Sequence, residues 1–395
     1  MNSDTINTAD TVMATTYKRF PIVITKGSGC TLWDETGQKY TDFVSGIAVC
    51  NLGHAHPKVK EALCRQADIL LHVSNLYYTA PQTALASWLV GHSFADRVFF
   101  CNSGAEANEA AIKLARKYFY EKGDDDRYLI ITMEKSFHGR TMATLSATGQ
   151  DKIKQGFNPV LPGFEFVPFN DRTALQAKIG PSTCAVMLEP VQGEGGVRCP
   201  DPEYLKAVRH ICDDVGALLI FDEIQTGIGR TGKLFAYEHF GVRPDIMTLA
   251  KALANGLPIG AMLATETVAA AFGPGSHAST FGGTPIVTAA SLEVLKVLTE
   301  EGILDHCEKI GAYFKERLGQ LKDRHDTIVD VRGLGLLIGL KINIDGAPVV
   351  EKCMQKGFLI NCIQDNILRF IPPLTIARED IDALVACLDE ILKTA

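Results

Sequence analysis

In the stretch Asp201-Pro-Glu-Tyr-Leu-Lys-Ala-Val-Arg-His-Ile-Cys-Asp-Asp-Val-Gly-Ala-Leu-Leu-Ile-Phe221, a predicted helix runs directly into a predicted strand. Asp201 and Pro202 suit the N-cap and the first position of that helix, and Gly216 suits its C-terminal end. The apolar run 217–221 has the length and continuity of a strand that is buried on both faces. This order of elements is typical of α/β proteins.

Four further apolar runs of strand length lie on either side of this unit, at 98–101, 128–133, 184–188 and 246–250. Between the first two runs, Ser103 and Glu106 form a capping box, and apolar residues then recur with helical spacing. The repeated units predict an α/β fold with a mainly parallel sheet sandwiched by helices. In such a sheet, the ligand site lies beyond the carboxyl ends of the strands.

The two ends of the chain predict a smaller α+β domain. After residue 286, helical patterns through 298 and over 310–321 precede short predicted strands and a last helix; the strands lie at 333–339, 359–361 and 367–371, and the helix at 380–392. Near the N-terminus, residues 30–40 predict a hairpin with its turn at 35–37. We therefore expect an N-terminal segment at 1–55 that packs with the small domain, a large domain at 56–285 and a C-terminal small domain at 286–395.

The composition favours a small-molecule partner. The 395 residues include 39 Lys and Arg against 46 Asp and Glu, a net charge of -7, so there is no global positive field for nucleic acid or an anionic membrane. No apolar run approaches the roughly 18–20 residues that span a bilayer. The first sixteen residues carry no Lys, Arg or apolar core, so we expect a cytoplasmic protein without a secretory signal. The 11 cysteines form no Cys-x-x-Cys pair, which argues against a disulfide framework or a structural zinc site.

Two short motifs imitate known sites. Gly227-Ile-Gly-Arg-Thr-Gly232 fits the dinucleotide pattern G-x-G-x-x-G, but the preceding strand ends at Phe221, too far from the first glycine. We interpret this motif as a glycine-rich surface loop, and a nicotinamide-dependent oxidoreductase stays open as an alternative of a different class. His54 and His56 imitate a metal chelate, yet Pro57 follows and no suitable third ligand stands nearby. There we expect a structural turn and no metal.

Three features fall where the ligand site of the predicted sheet should be. Where one strand ends, Ser103 begins a helix whose backbone N–H groups at Gly104 and Ala105 can cradle a phosphate, with the Ser103 hydroxyl beside them. Asp222 ends a strongly apolar strand, where a carboxylate needs a cationic or hydrogen-bonding partner. Lys251 ends the next strand among small apolar residues, which lower the pKa of an amine and favour a nucleophile.

Each feature alone has an ordinary explanation as a helix cap, a strand-end cap or a surface lysine. Together, a phosphate cradle, a partner for a protonated pyridine nitrogen and an amine nucleophile are what pyridoxal phosphate requires. Phe137 and Arg140 follow another predicted strand, where the ring could stack on the pyridine and the guanidinium could meet a substrate carboxylate. We therefore expect pyridoxal 5'-phosphate as the cofactor.

Motifs along the chain then identify a family. They lie at 42–49, 53–57, 102–108, 137–141, 189–196, 221–232, 250–256, 279–283 and 368–372. On these motifs, the chain closely resembles the acetylornithine aminotransferases, a branch of the class III, fold-type I pyridoxal-phosphate enzymes, over nearly its whole length. Ala278 and Thr284 depart from the glycine and asparagine that are usual around the motif at 279–283.

The resemblance implies roles for individual residues. Lys251 would form the Schiff base with the cofactor, Asp222 would pair with the pyridine nitrogen, and Gln225 would lie near the 3-oxygen of the ring. The implied cofactor-binding residues are Ser103, Gly104, Ala105, Phe137, His138, Asp222, Gln225, Lys251 and Thr280, the last reaching across from a neighbouring subunit. The implied substrate-binding residues are Tyr17, Arg140, Glu194, Ser279 and Arg369, with Glu194 and Arg369 acting as a switchable pair. An obligate homodimer with a shared active site follows.

The activity implied by the resemblance is transamination of the distal amine of N2-acetyl-L-ornithine with 2-oxoglutarate. The products would be N-acetyl-L-glutamate 5-semialdehyde and L-glutamate, in arginine biosynthesis. Ornithine, succinyl-diaminopimelate, succinylornithine and 4-aminobutyrate stay open as alternative donors, and so does a binding protein that kept the fold without catalysis.

Overall fold

Strands and helices alternate along the middle of the chain, as the sequence predicts. The computed structural model describes residues 4–394, so residues 1–3 and 395, at the ends of the predicted first and last domains, lie outside the described residues. The helices are α1 (Asp4–Val12), α2 (Ser45–Ala48), α3 (Pro57–Ala67), α4 (Ala80–Gly91), α5 (Gly104–Glu121), α6 (Met142–Ala147), α7 (Arg172–Lys178), α8 (Tyr204–Val215), α9 (Tyr237–Phe240), α10 (Glu266–Ala269), α11 (Pro285–Glu300), α12 (Ile303–Lys322), α13 (Ala347–Gln355) and α14 (Arg378–Leu392).

The strands form three sheets. They are β1 (Ile24–Ser28), β2 (Thr31–Asp34), β3 (Lys39–Asp42), β4 (Arg97–Cys101), β5 (Leu129–Met133), β6 (Phe164–Val167), β7 (Thr183–Leu188), β8 (Leu218–Asp222), β9 (Ile246–Leu249), β10 (Gly260–Ala264), β11 (Ile328–Leu334), β12 (Leu337–Ile342), β13 (Phe358–Leu359), β14 (Asn361–Ile363) and β15 (Ile367–Phe370). The largest sheet has the order β4-β10-β9-β8-β7-β5-β6.

The central sheet is mainly parallel, and only β10 runs antiparallel to its neighbours β4 and β9. Helices cover both faces: along β8, Leu219 and Phe221 join the core that includes α8, whereas Leu218 and Ile220 join the core that includes α5. The predicted α/β class with a helix-covered parallel sheet is therefore confirmed. A strand buried on both faces reads as a continuous apolar run, which is why β8 is so evident in the sequence.

Helix α5 begins where the capping box predicts. The Ser103 hydroxyl accepts a hydrogen bond from the backbone N–H of Glu106 at 3.2 Å, so Ser103 is the N-cap. The predicted start of α8 is wrong by a few residues, because the Asp201 carbonyl instead accepts the N–H of Tyr204 in a turn, and the helix begins at Tyr204. Its predicted end at Gly216 is confirmed, since that residue adopts the left-handed conformation with φ 68°.

Two small sheets combine segments from both ends of the chain. The hairpin of β2 and β3 is confirmed, and β3 continues into the C-terminal region by pairing in parallel with β13. The second small sheet has the order β11-β12-β15-β14. The expected single strand over 333–339 is divided by a turn at 335–336 between the end of β11 and the start of β12, and the one over 359–361 divides at buried Ile360 between the two sheets. The domain boundaries at 55 and 285 stay predictions.

Candidate active site

The carboxyl ends of the central strands surround a cavity of about 470 Å³. The ends of β4, β5, β7, β8 and β9 all face it, because parallel strands end at the same edge of a sheet. Ten of the predicted site residues line this cavity: Ser103, Gly104, Ala105, Phe137, His138, Arg140, Glu194, Asp222, Gln225 and Lys251. Elements that are far apart in sequence thus bring the predicted cofactor and substrate residues together.

The start of α5 forms one wall of the cavity. The backbone N–H groups of Gly104 and Ala105 lie in the first helical turn, which has no intrahelical acceptors, so they are free to bind an anion. Gly104 packs against Ile224, and a Cβ atom at this position would lie 2.7 Å from Ile224 Cδ1. The close approach explains why glycine stands at this turn.

Asp222 is held in one orientation at the end of β8. Its Oδ2 accepts hydrogen bonds from Asn108 Nδ2 at 2.8 Å and from His138 Nδ1 at 2.7 Å, and its Oδ1 accepts the N–H of Ile224 at 3.1 Å. Asn108 is itself fixed, because its Oδ1 accepts the hydroxyl of Thr248 at 2.7 Å. The buried carboxylate therefore has the polar partners that its burial requires.

Lys251 follows β9 and adopts a left-handed backbone conformation with φ 42°. Burial lowers the pKa of its amine from 10.5 to about 8, an effect that the charge of Glu194 opposes and that of Arg369 reinforces. A much larger fraction of this amine is therefore uncharged near neutral pH than in an exposed lysine, as a nucleophile requires. A left-handed conformation in a residue other than glycine is uncommon and is found disproportionately at functional sites.

Phe137 and Arg140 line the same cavity from the loop after β5. The Arg140 guanidinium is exposed and lies 5.7 Å from the centroid of the Phe137 ring. The aromatic side chain thus borders the cavity, and the cation lies where it can meet an anionic ligand that enters from solvent.

Glu194 and Arg369 form an ion pair beside Gln225. Arg369 Nη1 lies 2.5 Å from Glu194 Oε1 and 3.5 Å from Gln225 Oε1. The Arg369 side chain is only 1% exposed, whereas that of Glu194 is 28% exposed. Burial alone would raise the pKa of Glu194, but the charges of Arg369 and Lys251 hold that pKa below its usual value. The arginine is therefore neutralised while this pair is closed.

The residues of this cavity fit a phosphate-bearing aromatic cofactor. Two buried side-chain nitrogens that face it, His138 Nε2 and Gln225 Nε2, have no hydrogen-bond partner among residues 4–394. The N–H groups at Gly104 and Ala105 suit a phosphate, and the carboxylate of Asp222 suits a protonated ring nitrogen. A small planar ligand with a phosphate and polar ring substituents would satisfy these groups together.

Besides Arg369, which reaches the cavity through its ion pair with Glu194, three predicted residues lie outside the cavity wall of a single chain. Ser279 contacts the site indirectly, because its hydroxyl accepts a hydrogen bond from Asn102 Nδ2 at 3.1 Å. Thr280 is exposed and lines a separate cavity. Tyr17 is 73% exposed and contacts Arg19, so the structure does not bring it to the site. The roles predicted for all three residues stay predictions.

Two residues of the site were not singled out by the sequence analysis as functional. Glu189 follows β7 and lines the cavity, where it accepts the backbone N–H groups of Phe137 and Gly193 at 3.2 and 3.1 Å. Burial raises the pKa of Glu189 to about 7. Its position at a strand end is the signal that identified Asp222 and could have identified it too. Asn108, a polar residue on the buried face of α5, carried a weaker signal.

The two imitating motifs are structural. The loop 227–232 is buried, so the expectation of a surface loop is wrong; its glycines allow close packing, as where a Cβ on Gly229 would lie 2.9 Å from Leu304 Cδ2. His54 Nε2 lies 2.7 Å from Asp42 Oδ2 in a turn. Over residues 4–394, no cluster of three or more His, Cys, Asp or Glu side chains is arranged to hold a metal ion. In the same part of the chain, no helix has the length and apolarity to cross a membrane.

Comparison with known proteins agrees with this site. The chain is 52% identical over 378 residues to an acetylornithine aminotransferase from Caldanaerobacter subterraneus, covering 95% of this chain and 96% of that protein. It is also 52% identical over 375 residues to an acetylornithine aminotransferase from Methanocaldococcus jannaschii, with coverages of 95% and 94%. The predicted resemblance is thus confirmed.

A solved structure of the ornithine aminotransferase from Toxoplasma gondii superposes with a TM-score of 0.96 at 35% identity, covering 100% of this chain and 96% of that one. In that structure, pyridoxal phosphate partially occupies the active site. The family model for class-III aminotransferases matches residues 12–392, nearly the full length. The fold, the cavity and these matches lead to one conclusion: the chain belongs to the class-III aminotransferase family.

Proposed function

We propose that this enzyme uses pyridoxal 5'-phosphate to transfer the distal amine of N2-acetyl-L-ornithine to 2-oxoglutarate. The products are N-acetyl-L-glutamate 5-semialdehyde and L-glutamate, and the reaction is a step of arginine biosynthesis. The observation that carries the proposal is that one cavity brings together Lys251, the closed Glu194–Arg369 pair and the phosphate cradle of α5. The names of the relatives at 52% identity support the choice of donor.

The side chains divide the work of binding and proton transfer. Gly104, Ala105 and Ser103 would hold the phosphate, and Asp222 would hold the ring nitrogen in its protonated form. When bound, pyridoxal phosphate supplies a carbonyl that exchanges with the donor amine and a ring that accepts electrons. Lys251 Nζ is the base that accepts a proton from the carbon bearing the donor amine, and its lowered pKa suits that step near neutral pH.

The Glu194–Arg369 pair gives one site two specificities. Acetylornithine reacts at a distal carbon that has no adjacent carboxylate, so a free arginine there would be an unpaired buried cation. With Glu194 closed on Arg369, that charge is masked. Glutamate and 2-oxoglutarate carry a carboxylate beside the reacting carbon, and Glu194 must move aside so that Arg369 can bind it through two parallel hydrogen bonds. Arg140 then holds the carboxylate at the far end.

Related donors share most of this chemistry. Ornithine, succinyl-diaminopimelate, succinylornithine and 4-aminobutyrate each present a terminal amine, and the Toxoplasma neighbour is an ornithine aminotransferase. The buried loop 227–232, by contrast, has no room for a dinucleotide, which disfavours the oxidoreductase alternative.

The active form is a cytoplasmic homodimer. Leu76, Tyr77, Tyr78 and Phe281 form an exposed apolar face, and Thr280 lies beside Phe281. Exposed apolar surface of this kind marks a protein interface, so a second copy on this face would bring its Thr280 towards the phosphate cradle.

A panel of amino donors tests the proposal through kcat/KM with 2-oxoglutarate as acceptor. We expect N2-acetyl-L-ornithine to exceed ornithine, 4-aminobutyrate and the succinylated donors by at least about tenfold, or about 1.4 kcal/mol. Lys251→Ala is the matched control and should lose turnover by several orders of magnitude while it stays folded. If another donor is preferred, the proposed substrate is wrong but the proposed reaction class stands. Full activity in Lys251→Ala would refute the mechanism.

A further inference from the structure

A second cavity lies on the far side of the loop that carries Glu194. It encloses about 230 Å³, and it shares no lining residue with the cavity that contains Lys251. Four cationic side chains line it, and they come from separate parts of the chain: Lys135, Arg198, Arg332 and Lys341. The remaining lining residues are Gly195, Gln364, Asn366 and Ile367, so the wall contains no carboxylate.

Few carboxylates neutralise these four positive charges, although the protein as a whole has a net charge of -7. Arg332 pairs with Asp330 at 3.0 Å. Within residues 4–394, no carboxylate lies within 4 Å of the charged groups of Lys135, Arg198 or Lys341 in an ion pair. Arg198, Arg332 and Lys341 are each half-buried, which limits how far water can screen their mutual repulsion. Such an arrangement is stabilised when an anion binds among the cations.

The size of the cavity selects a small anion. Its volume corresponds to roughly seven or eight waters at about 30 Å³ each, which is below the usual range of about 300–1,000 Å³ for larger organic ligands. Three uncommitted cationic groups, with the amides of Gln364 and Asn366 beside them, provide more donors than a single carboxylate can use. A phosphate group, with three terminal oxygens and about two negative charges, matches this set.

The cavity is joined to the loop at 193–198. Arg332 Nη2 donates to the Gly196 carbonyl at 2.6 Å, and Arg332 Nε donates to the Val197 carbonyl at 3.1 Å. Gln364 Nε2 donates to the Glu194 carbonyl at 3.2 Å. A ligand that contacts Arg332 and Gln364 therefore contacts two of the side chains that hold the backbone of this loop.

We propose that the cavity lined by Lys135, Arg198, Arg332 and Lys341 is a binding site for a phosphate group, either inorganic phosphate or a small phosphomonoester, and that its occupation stabilises the loop at 193–198. The site is separate from the phosphate cradle of α5, so it is available when the cofactor is bound. Its test measures binding and does not depend on which amino donor the enzyme uses.

The test uses the enzyme loaded with cofactor and freed of excess cofactor by gel filtration. Inorganic phosphate and glycerol 3-phosphate are titrated separately at constant ionic strength set with chloride, and Tm and calorimetric Kd are measured. We expect saturable binding, weakened at least about fivefold in Arg198→Gln and in Lys341→Gln. Arg172→Gln, which removes one exposed cation from α7 outside the cavity, is the matched control and should bind as the wild type does.

Hydrogen exchange provides a second readout in the unmodified enzyme. Amide exchange within residues 193–198 should slow when phosphate is added, and exchange elsewhere on the surface should not. Binding of glycerol 3-phosphate alone identifies a phosphorylated metabolite, and binding of both identifies the phosphate group as sufficient; either result supports the site. Absence of saturable binding, or equal affinity in Arg198→Gln, Lys341→Gln and Arg172→Gln, would overturn it.

Discussion

Lys251 combines two unusual properties, a left-handed backbone and an amine pKa of about 8. Lys251 follows the end of β9, and its lowered pKa results from burial, which the charge of Arg369 reinforces. Burial lowers the pKa of a lysine readily, because the positive charge of its ammonium group is concentrated on one nitrogen that loses its water. The chemistry of the site therefore depends on where this nitrogen lies.

The rate of cofactor capture should report this pKa. When cofactor-free protein is mixed with pyridoxal phosphate, the uncharged amine is the reactive form, so the rate should rise roughly tenfold between pH 7 and 9 and level off above. Stopped-flow absorbance measures the rate, with a small primary amine in free solution as a correction for ionisation of the cofactor itself. A rate that still climbs steeply above pH 9.5 would contradict the lowered pKa.

The switch formed by Glu194 predicts that its removal affects the two half-reactions unequally. In Glu194→Ala, Arg369 stays uncovered, which should favour glutamate over the distal-amine donor. The ratio of the two half-reaction rates should shift at least about tenfold, or about 1.4 kcal/mol. Single-turnover absorbance with each donor measures both rates, and Glu165→Ala, which removes a surface acid that pairs with Lys178, is the control. Equal losses in both half-reactions would show a static ion pair.

Much of the site was predictable because chemistry and position coincide at strand ends. Asp222 and Lys251 stand at the ends of strands that the sequence shows as apolar runs. The sequence alone therefore predicts that the two side chains lie close together. The contact between Glu194 and Arg369 rested on resemblance alone, because their elements belong to different sheets and no local pattern links them. Glu189 was overlooked because a carboxylate before proline also suits an ordinary loop.

At the scale of elements, the strands that escaped prediction are those with weak local signals. β10 is Gly-Ala-Met-Leu-Ala, a composition with low β-propensity that tertiary pairing with β4 and β9 overrides. β6 lies at the sheet edge and is only partly buried, so its pattern lacks the continuous apolar run of β8. The fully buried strands β7, β8 and β9 were predicted, since their continuous apolar runs reflect burial directly.

The turn between α2 and α3 should give stability a marked pH dependence. The hydrogen bond to Asp42, with a smaller effect of Cys50, raises the pKa of His54 to about 9 from 6.5. Because the folded pKa is raised, the stabilisation is fully present below about pH 6.5 and is lost as pH rises through about 9. The free energy of unfolding of the wild type should exceed that of His54→Gln by about 2 kcal/mol at pH 6 and by little at pH 10.

Thermal unfolding across this pH range measures the effect as a difference in Tm. His56→Gln is a control of opposite sign, because burial lowers the pKa of His56, so the wild type should lose its advantage towards low pH instead. A Tm difference for His54→Gln that is independent of pH would show that the imidazole acts only through packing.

At the scale of the whole molecule, the exposed apolar face formed by Leu76, Tyr77, Tyr78 and Phe281 should control assembly. Tyr78 has a fully exposed side chain, so Tyr78→Asp leaves the fold of one chain intact while it places a charge in the proposed interface. We expect dissociation to monomers in analytical ultracentrifugation, with weaker cofactor retention because Thr280 of the second copy is withdrawn. Tyr120→Asp, an exposed tyrosine on α5, is the matched control. Monomeric wild-type protein would refute the interface.

Arg230, buried in the loop 227–232, has a consequence for how the molecule comes apart. Its guanidinium donates to Asn51 and Ser45 near the N-terminus and to the carbonyls of Leu336 and Pro372 near the C-terminus. Burial lowers its pKa to about 10, so it stays cationic at neutral pH. If either of these segments unfolded alone, the buried cation of Arg230 would lose part of its hydrogen-bond partners, which is unfavourable. We therefore expect the segments around Asn51 and Pro372 to unfold together with the central loop.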